Sequence, residues 1–156
     1  MITTTIYTEQ YFRVQRWFKR LEEIHNGRVH NRDSHYYQDV AYAFFLNCFH
    51  LKDWLVESGA IAESEVKQFI DSNKEMGVCH ALCVGSKHLI IRNPSIDSSV
   101  TIKNRNILLG LGGTIPIIAV DYVIEASGIK YSAYNLAKQC VELWDRFLNE
   151  HGLNIV

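Results

Sequence analysis

The densest chemistry-bearing group in an otherwise apolar stretch is Asn47, His50 and Asp53. His50 and Asp53 are three apart, so on a helix a carboxylate could hold an imidazole ready to accept a proton or an anion. Phe49 and Trp54 flank the pair, and half-buried imidazoles have movable proton affinities. A second group, Lys87 and His88, sits where a helix should end, with His80 one turn-pair earlier. Cations there complement the carbonyl end of the helix dipole, and they could equally hold a phosphate or carboxylate. Asn47, His50, Asp53, Lys87 and His88 are therefore the expected ligand-binding residues, with His50 and Asp53 as the catalytic candidates.

Other motifs carry less chemistry. Cys79 with Cys83, and His80 with Cys83, share helix faces, but a metal needs three or four converging ligands and no Cys-x-x-Cys occurs. The four cysteines, Cys48, Cys79, Cys83 and Cys140, read as reduced core thiols, with no metal and no cofactor expected. Gly110-Leu111-Gly112-Gly113-Thr114 lacks the Lys-Ser/Thr ending of a phosphate loop and precedes a strand, so it reads as a hairpin turn.

The elements that must position these residues follow from periodicity. Helices are expected over about 7–25, 34–57, 63–72, 74–89 and 132–149, with Ser34 and Ser132 as caps. Strands are expected between about 99 and 125, with Asn104-Arg105-Asn106 as a turn between them. From Ile118 to Ile124 the alternation is clean, placing Ile118, Val120, Tyr122 and Ile124 on one covered face. The fold class is α+β and mainly helical: an antiparallel bundle with a small antiparallel hairpin or meander inserted before the C-terminal helix.

The chain of 156 residues fits a single domain spanning 1–156. Its formal net charge of -1 excludes a general nucleic-acid or polybasic membrane binder. There is no apolar run near 20 residues and no basic-then-apolar start, so the expectation is a cytoplasmic protein without membrane contact. Tyr36, Tyr37, Tyr42, Phe44, Phe45 and Phe49 crowd one helix beyond what one face can hold. The surplus suggests a homodimer interface or a protein partner.

The segment Phe44 to Leu55, with His50-Leu51-Lys52-Asp53-Trp54, and the later Lys87-His88-Leu89 resemble stretches of small bacterial proteins of unassigned activity. The helical part is also similar to the higher-eukaryote-and-prokaryote nucleotide-binding (HEPN) bundles, which include dimeric ribonucleases with an Arg-x4-6-His motif. Arg20 to His25, Arg146 to His151 and Arg28 to His35 match that spacing. Leu21, Phe147 and Val29 stand where the motif carries a polar residue, which implies a bundle without nuclease residues. The expected function is thus binding of a partner or a small anionic ligand, rather than catalysis. A HEPN-like, metal-independent ribonuclease is the alternative.

Overall fold

A computed structural model describes residues 6–87, 101–110 and 117–153. Five helices run in the order α1 (Ile6–Asn26), α2 (Ser34–Glu57), α3 (Glu63–Ser72), α4 (Lys74–Lys87) and α5 (Ala133–Glu150). The strands are β1 (Arg28–Val29), β2 (Thr101–Gly110), β3 (Ile117–Ala126) and β4 (Ile129–Ser132). This is the mainly helical α+β arrangement expected.

α2 is the central helix, packed by all four others. Its sequence is apolar on most sides, which is what a helix surrounded by neighbours requires. Tyr37, Phe44, Phe45, Cys48, Leu51 and Leu55 are all 1% exposed or less. The aromatic surplus is consumed inside the chain: of the six aromatics, Tyr36 alone is classed as exposed, at 39%. The argument for a dimer from aromatic crowding therefore loses its basis.

Asp33, not Ser34, caps α2. Its Oδ1 accepts from the backbone N–H groups of His35 and Tyr36 at 3.0 and 3.2 Å. A carboxylate combines the capping bond with favourable charge at the positive end of the helix, so it outcompetes the neighbouring hydroxyl. Ser132 caps α5 as expected, accepting from Asn135 N–H at 3.3 Å.

β3 is the spine of the sheet, antiparallel to every partner. β2 lies on one edge, while β1 and β4 share the other, β1 opposite Ile117 and Ile118 and β4 opposite Val123 to Ala126. Val120, Tyr122, Ile124 and Ala126 form its buried face. α1 and α5 pack on the sheet. Three expectations need correcting here. Asn104-Arg105-Asn106 is not a turn but part of β2, opposite Val123, Tyr122 and Asp121, with a register shift between Ile102 and Asn104. An edge strand tolerates polar residues, and pairing with β3 supplies the backbone bonds that local turn chemistry would otherwise make. Arg28–Val29, outside every expected helix and strand, is a strand, and Ile129–Ser132 adds a strand beyond 125.

Two glycine positions explain the chain reversals. Gly27 ends α1 at φ +113, and a Cβ there would meet Ile117 Cγ2 at 3.0 Å, so close approach to β3 and a positive φ both demand glycine. Ser127 and Gly128 have φ of 50 and 78, the doubly positive pattern of a two-residue hairpin turn joining β3 to β4.

Candidate functional site

A cleft of about 900 Å³ lies between the second half of α2, α3, the start of α4 and the β3–β4 turn. That volume is in the range of small-molecule sites. α3 exists as a short wall because Val66 and Ile70, four apart, are buried while its other faces are polar. Asn73 ends it, its Nδ2 donating to Phe69 O at 2.8 Å, and α4 starts at the next residue. The cleft floor is apolar: Phe49 and Val56 from α2, Val66 and Ile70 from α3, Val78 from α4.

Charged groups border this floor in an ordered way. Lys52 Nζ lies 2.6 Å from Asp53 Oδ1, and Lys67 Nζ lies 2.6 Å from Asp71 Oδ2, so two of the three lysines already have a carboxylate neighbour. Lys74, in the first turn of α4, is the third. Glu57 and Glu63 stand at the other end of α3. The ten residues of α3 separate the two ends by about 15 Å at 1.5 Å per residue. The cleft is therefore polarised, acidic at one end and basic at the other.

His80 borders the cleft and touches its floor. Its ring stacks on Phe49 with centroids 4.3 Å apart and planes within 9°. Burial lowers its proton affinity and the Lys52 charge lowers it further, partly opposed by Asp71. At neutral pH the imidazole is uncharged, able to donate from one nitrogen and accept at the other.

Gly77 completes the wall. It is a glycine inside a helix, where glycine costs about 1 kcal/mol relative to alanine. A Cβ added there would meet nothing within 4 Å. No packing neighbour explains it; what it leaves is open space on the cleft side of α4.

The sequence-expected residues do not converge. Asn47 ties α2 to α1: its Oδ1 and backbone carbonyl both accept from Gln10 Nε2, at 3.2 and 2.9 Å, and its Nδ2 donates to Ala43 O. Gln10 is 1% exposed, so Asn47 serves the interior rather than a ligand. His50 faces α4, with Nε2 3.7 Å from Cys83 Sγ, and does not border the cleft. Asp53 does border it, but is paired to Lys52, not His50. The His50–Asp53 base pairing is thus corrected: the adjacent ammonium reaches the carboxylate instead. Lys87 closes α4 in the backbone, its side chain lying outside the described set, and His88 lies outside the described residues.

Two of the three histidines of the Arg/His spacings, His25 and His151, are engaged within the fold, and His35 is exposed. His25 stacks on Tyr134 at 4.1 Å, with Nδ1 3.8 Å from Asp121 Oδ1, while Arg20 lies over the Trp17 ring. Ser132 stands close to this group, but its hydroxyl donates to Asp121 at 2.8 Å while capping α5, so it is not a histidine-activated nucleophile. His151 Nδ1 lies 2.8 Å from Phe147 O, and its Nε2 lies 3.6 Å from Glu65.

Sequence reasoning missed a third group. The sulfurs of Cys48 (α2), Cys79 (α4) and Cys140 (α5) lie within 4.8 Å of one another, each 0% exposed. Burial opposes ionisation of Cys48, but hydrogen bonding with Cys140, Cys79 and Trp144 outweighs it and brings the thiol below its usual range. Burial and bonding within the trio hold Cys79 well above the usual thiol range; the bond with Cys48 is the main cause for Cys140. All four cysteines are reduced and buried, as expected.

Compared with family models, curated proteins and solved structures, the chain matches none. Among the described residues, no helix is long and apolar enough to cross a membrane.

Proposed function

We propose that the protein is a binding module whose cleft takes a small ligand with an apolar body and an anionic group directed at Lys74. The observation that carries this reading is Gly77, an unpacked helical glycine on the wall of an apolar-floored cleft. It costs stability and gains no contact within the chain, but it lets a ligand approach the α4 backbone. The apolar floor supplies burial, and the fixed charges supply orientation. Because Lys52 and Lys67 are matched by Asp53 and Asp71, the net attraction for an anion is at the Lys74 end, while Glu57 and Glu63 repel it from the other.

The test is a thermal-shift series with aromatic and branched aliphatic carboxylates, each beside its neutral amide. An acid that binds stabilises the fold by about 2.7 kcal/mol at a hundredfold excess over Kd. Its amide stabilises less, and Lys74→Gln removes the difference. Equal shifts for acid and amide, or none across the series, would contradict the proposal.

A further inference from the structure

We propose that Cys48, Cys79 and Cys140 form a site for one thiophilic closed-shell metal ion, bound by three sulfurs at the junction of α2, α4 and α5. The geometry is close to that needed. Three thiolates at about 2.3 Å from a central ion, in a plane, stand about 4.0 Å apart. The sulfurs here are within 4.8 Å of each other, so closure requires a movement of no more than about 0.8 Å.

The donor set selects the ion. Among the described residues no His, Asp or Glu joins the trio, and thiolate ligands favour Cu(I) and Zn(II) over harder ions. Each sulfur comes from a different helix, and the three helices are bonded to one another around the trio. Trp144 Nε1 donates to Cys48 O at 3.0 Å, clamping α5 to α2 at the cysteine itself. Cys79 Sγ donates to Phe45 O at 3.3 Å, and Cys140 Sγ to Glu75 O at 3.7 Å. On binding, each sulfur that still holds a proton releases it to solvent, and no electron moves. The complex would carry a charge of 2− with Cu(I) and 1− with Zn(II). Zn(II) needs a fourth donor and Cu(I) does not, so the two ions leave different coordination signatures.

Packing alone is the competing explanation, since cysteine is a good small core residue. Cys83 is the built-in control: also outside any disulfide, also buried, one turn further along α4 and outside the trio. The experiment refolds the reduced protein anaerobically with one equivalent of Cu(I) in one arm and Zn(II) in the other. After desalting against a weak chelator, metal is counted per chain and sulfur ligands are counted by X-ray absorption. The expected result is one ion per chain with three sulfur ligands in at least one arm. A sphere of three sulfurs alone identifies Cu(I), and three sulfurs plus one oxygen identifies Zn(II). Cys140→Ala weakens retention about tenfold or more, and Cys83→Ala leaves it unchanged. Should Cys140→Ala fail to fold, Cys48→Ser and the sulfur count on the unaltered protein decide. No retained ion in either arm, fewer than three sulfurs, or equal loss in Cys83→Ala would overturn the site.

Discussion

The two faces of α4 put opposite environments one residue apart. Gly77, Val78, His80 and Ala81 border the cleft, whereas Met76 and Cys79 point into a core where both are 0% exposed. On the cleft side, two lysines are paired with carboxylates, an imidazole is half-buried and a glycine leaves room. On the core side, three thiols and an indole fill the space between α2, α4 and α5. The contrast teaches that one helix can carry both an adaptable site and a rigid one, provided the two use different residues. Substitutions should then separate cleanly: core-side changes act on stability, and cleft-side changes act on binding.

The largest expected effect is on the core side. Trp144 is 1% exposed, packs against Phe69 and Phe147 and bonds Cys48 O. Trp144→Ala should cost about 3–5 kcal/mol in urea unfolding. A loss below about 1 kcal/mol would mean that the thiol side is not the rigid one.

Next comes Asn47, placed here in the interior rather than the site. Asn47→Ala removes one of the two acceptors of buried Gln10, the backbone carbonyl remaining, and should cost about 0.5–1.5 kcal/mol, with ligand-induced stabilisation unchanged. Loss of ligand response without loss of stability would return Asn47 to the binding residues.

Gly77→Ala is expected to go the other way. It should stabilise the free protein by about 0.5–1 kcal/mol, measured by urea unfolding, while weakening ligand binding. If both stability and binding rise, the open space on α4 has no role in binding.

The smallest effect is the pH dependence from His80, which is partly solvated. Its native proton affinity lies below the ordinary value of 6.5, through burial and Lys52, with Asp71 acting in opposition. The unfolded chain therefore binds the proton better. Stability is full above pH 6.5 and falls as the pH is lowered from there toward the native value. His80→Asn should flatten this part of the profile. What remains belongs in part to His30, also lowered by burial and by Arg28. An unchanged slope in His80→Asn would show that the imidazole is not held in the uncharged form.

Much of this architecture was legible in residue spacing. α2 and α3 have the bounds that periodicity gives, 34–57 and 63–72, because apolar residues at helical intervals must face something. The alternation of Val120, Tyr122 and Ile124 named the covered face of β3 correctly. What failed was whatever depends on a distant partner. Asn104 to Asn106 have turn chemistry but pair with β3, and β1 and β4 are too short to show any period. The sites failed for the same reason. Local spacing grouped Cys79 with Cys83, whereas the sulfurs that meet Cys79 come from residues 31 positions before and 61 after it. That each cysteine lay on an apolar stripe was the available signal, without a way to tell which stripes face one another. Of the residues expected to bind, Asp53 alone borders the cleft among the described side chains, because α3, α4 and the β3–β4 turn build that cleft together.

The most direct test is to follow backbone amide resonances of the labelled protein while adding an apolar carboxylate that stabilises the fold. The predicted result is that shifts concentrate on Phe49, Lys74, Gly77 and His80 and leave Cys140 and Trp144 in place. Shifts centred on His25 or His151, or spread through the core around Cys48, would contradict the separation of the two faces of α4.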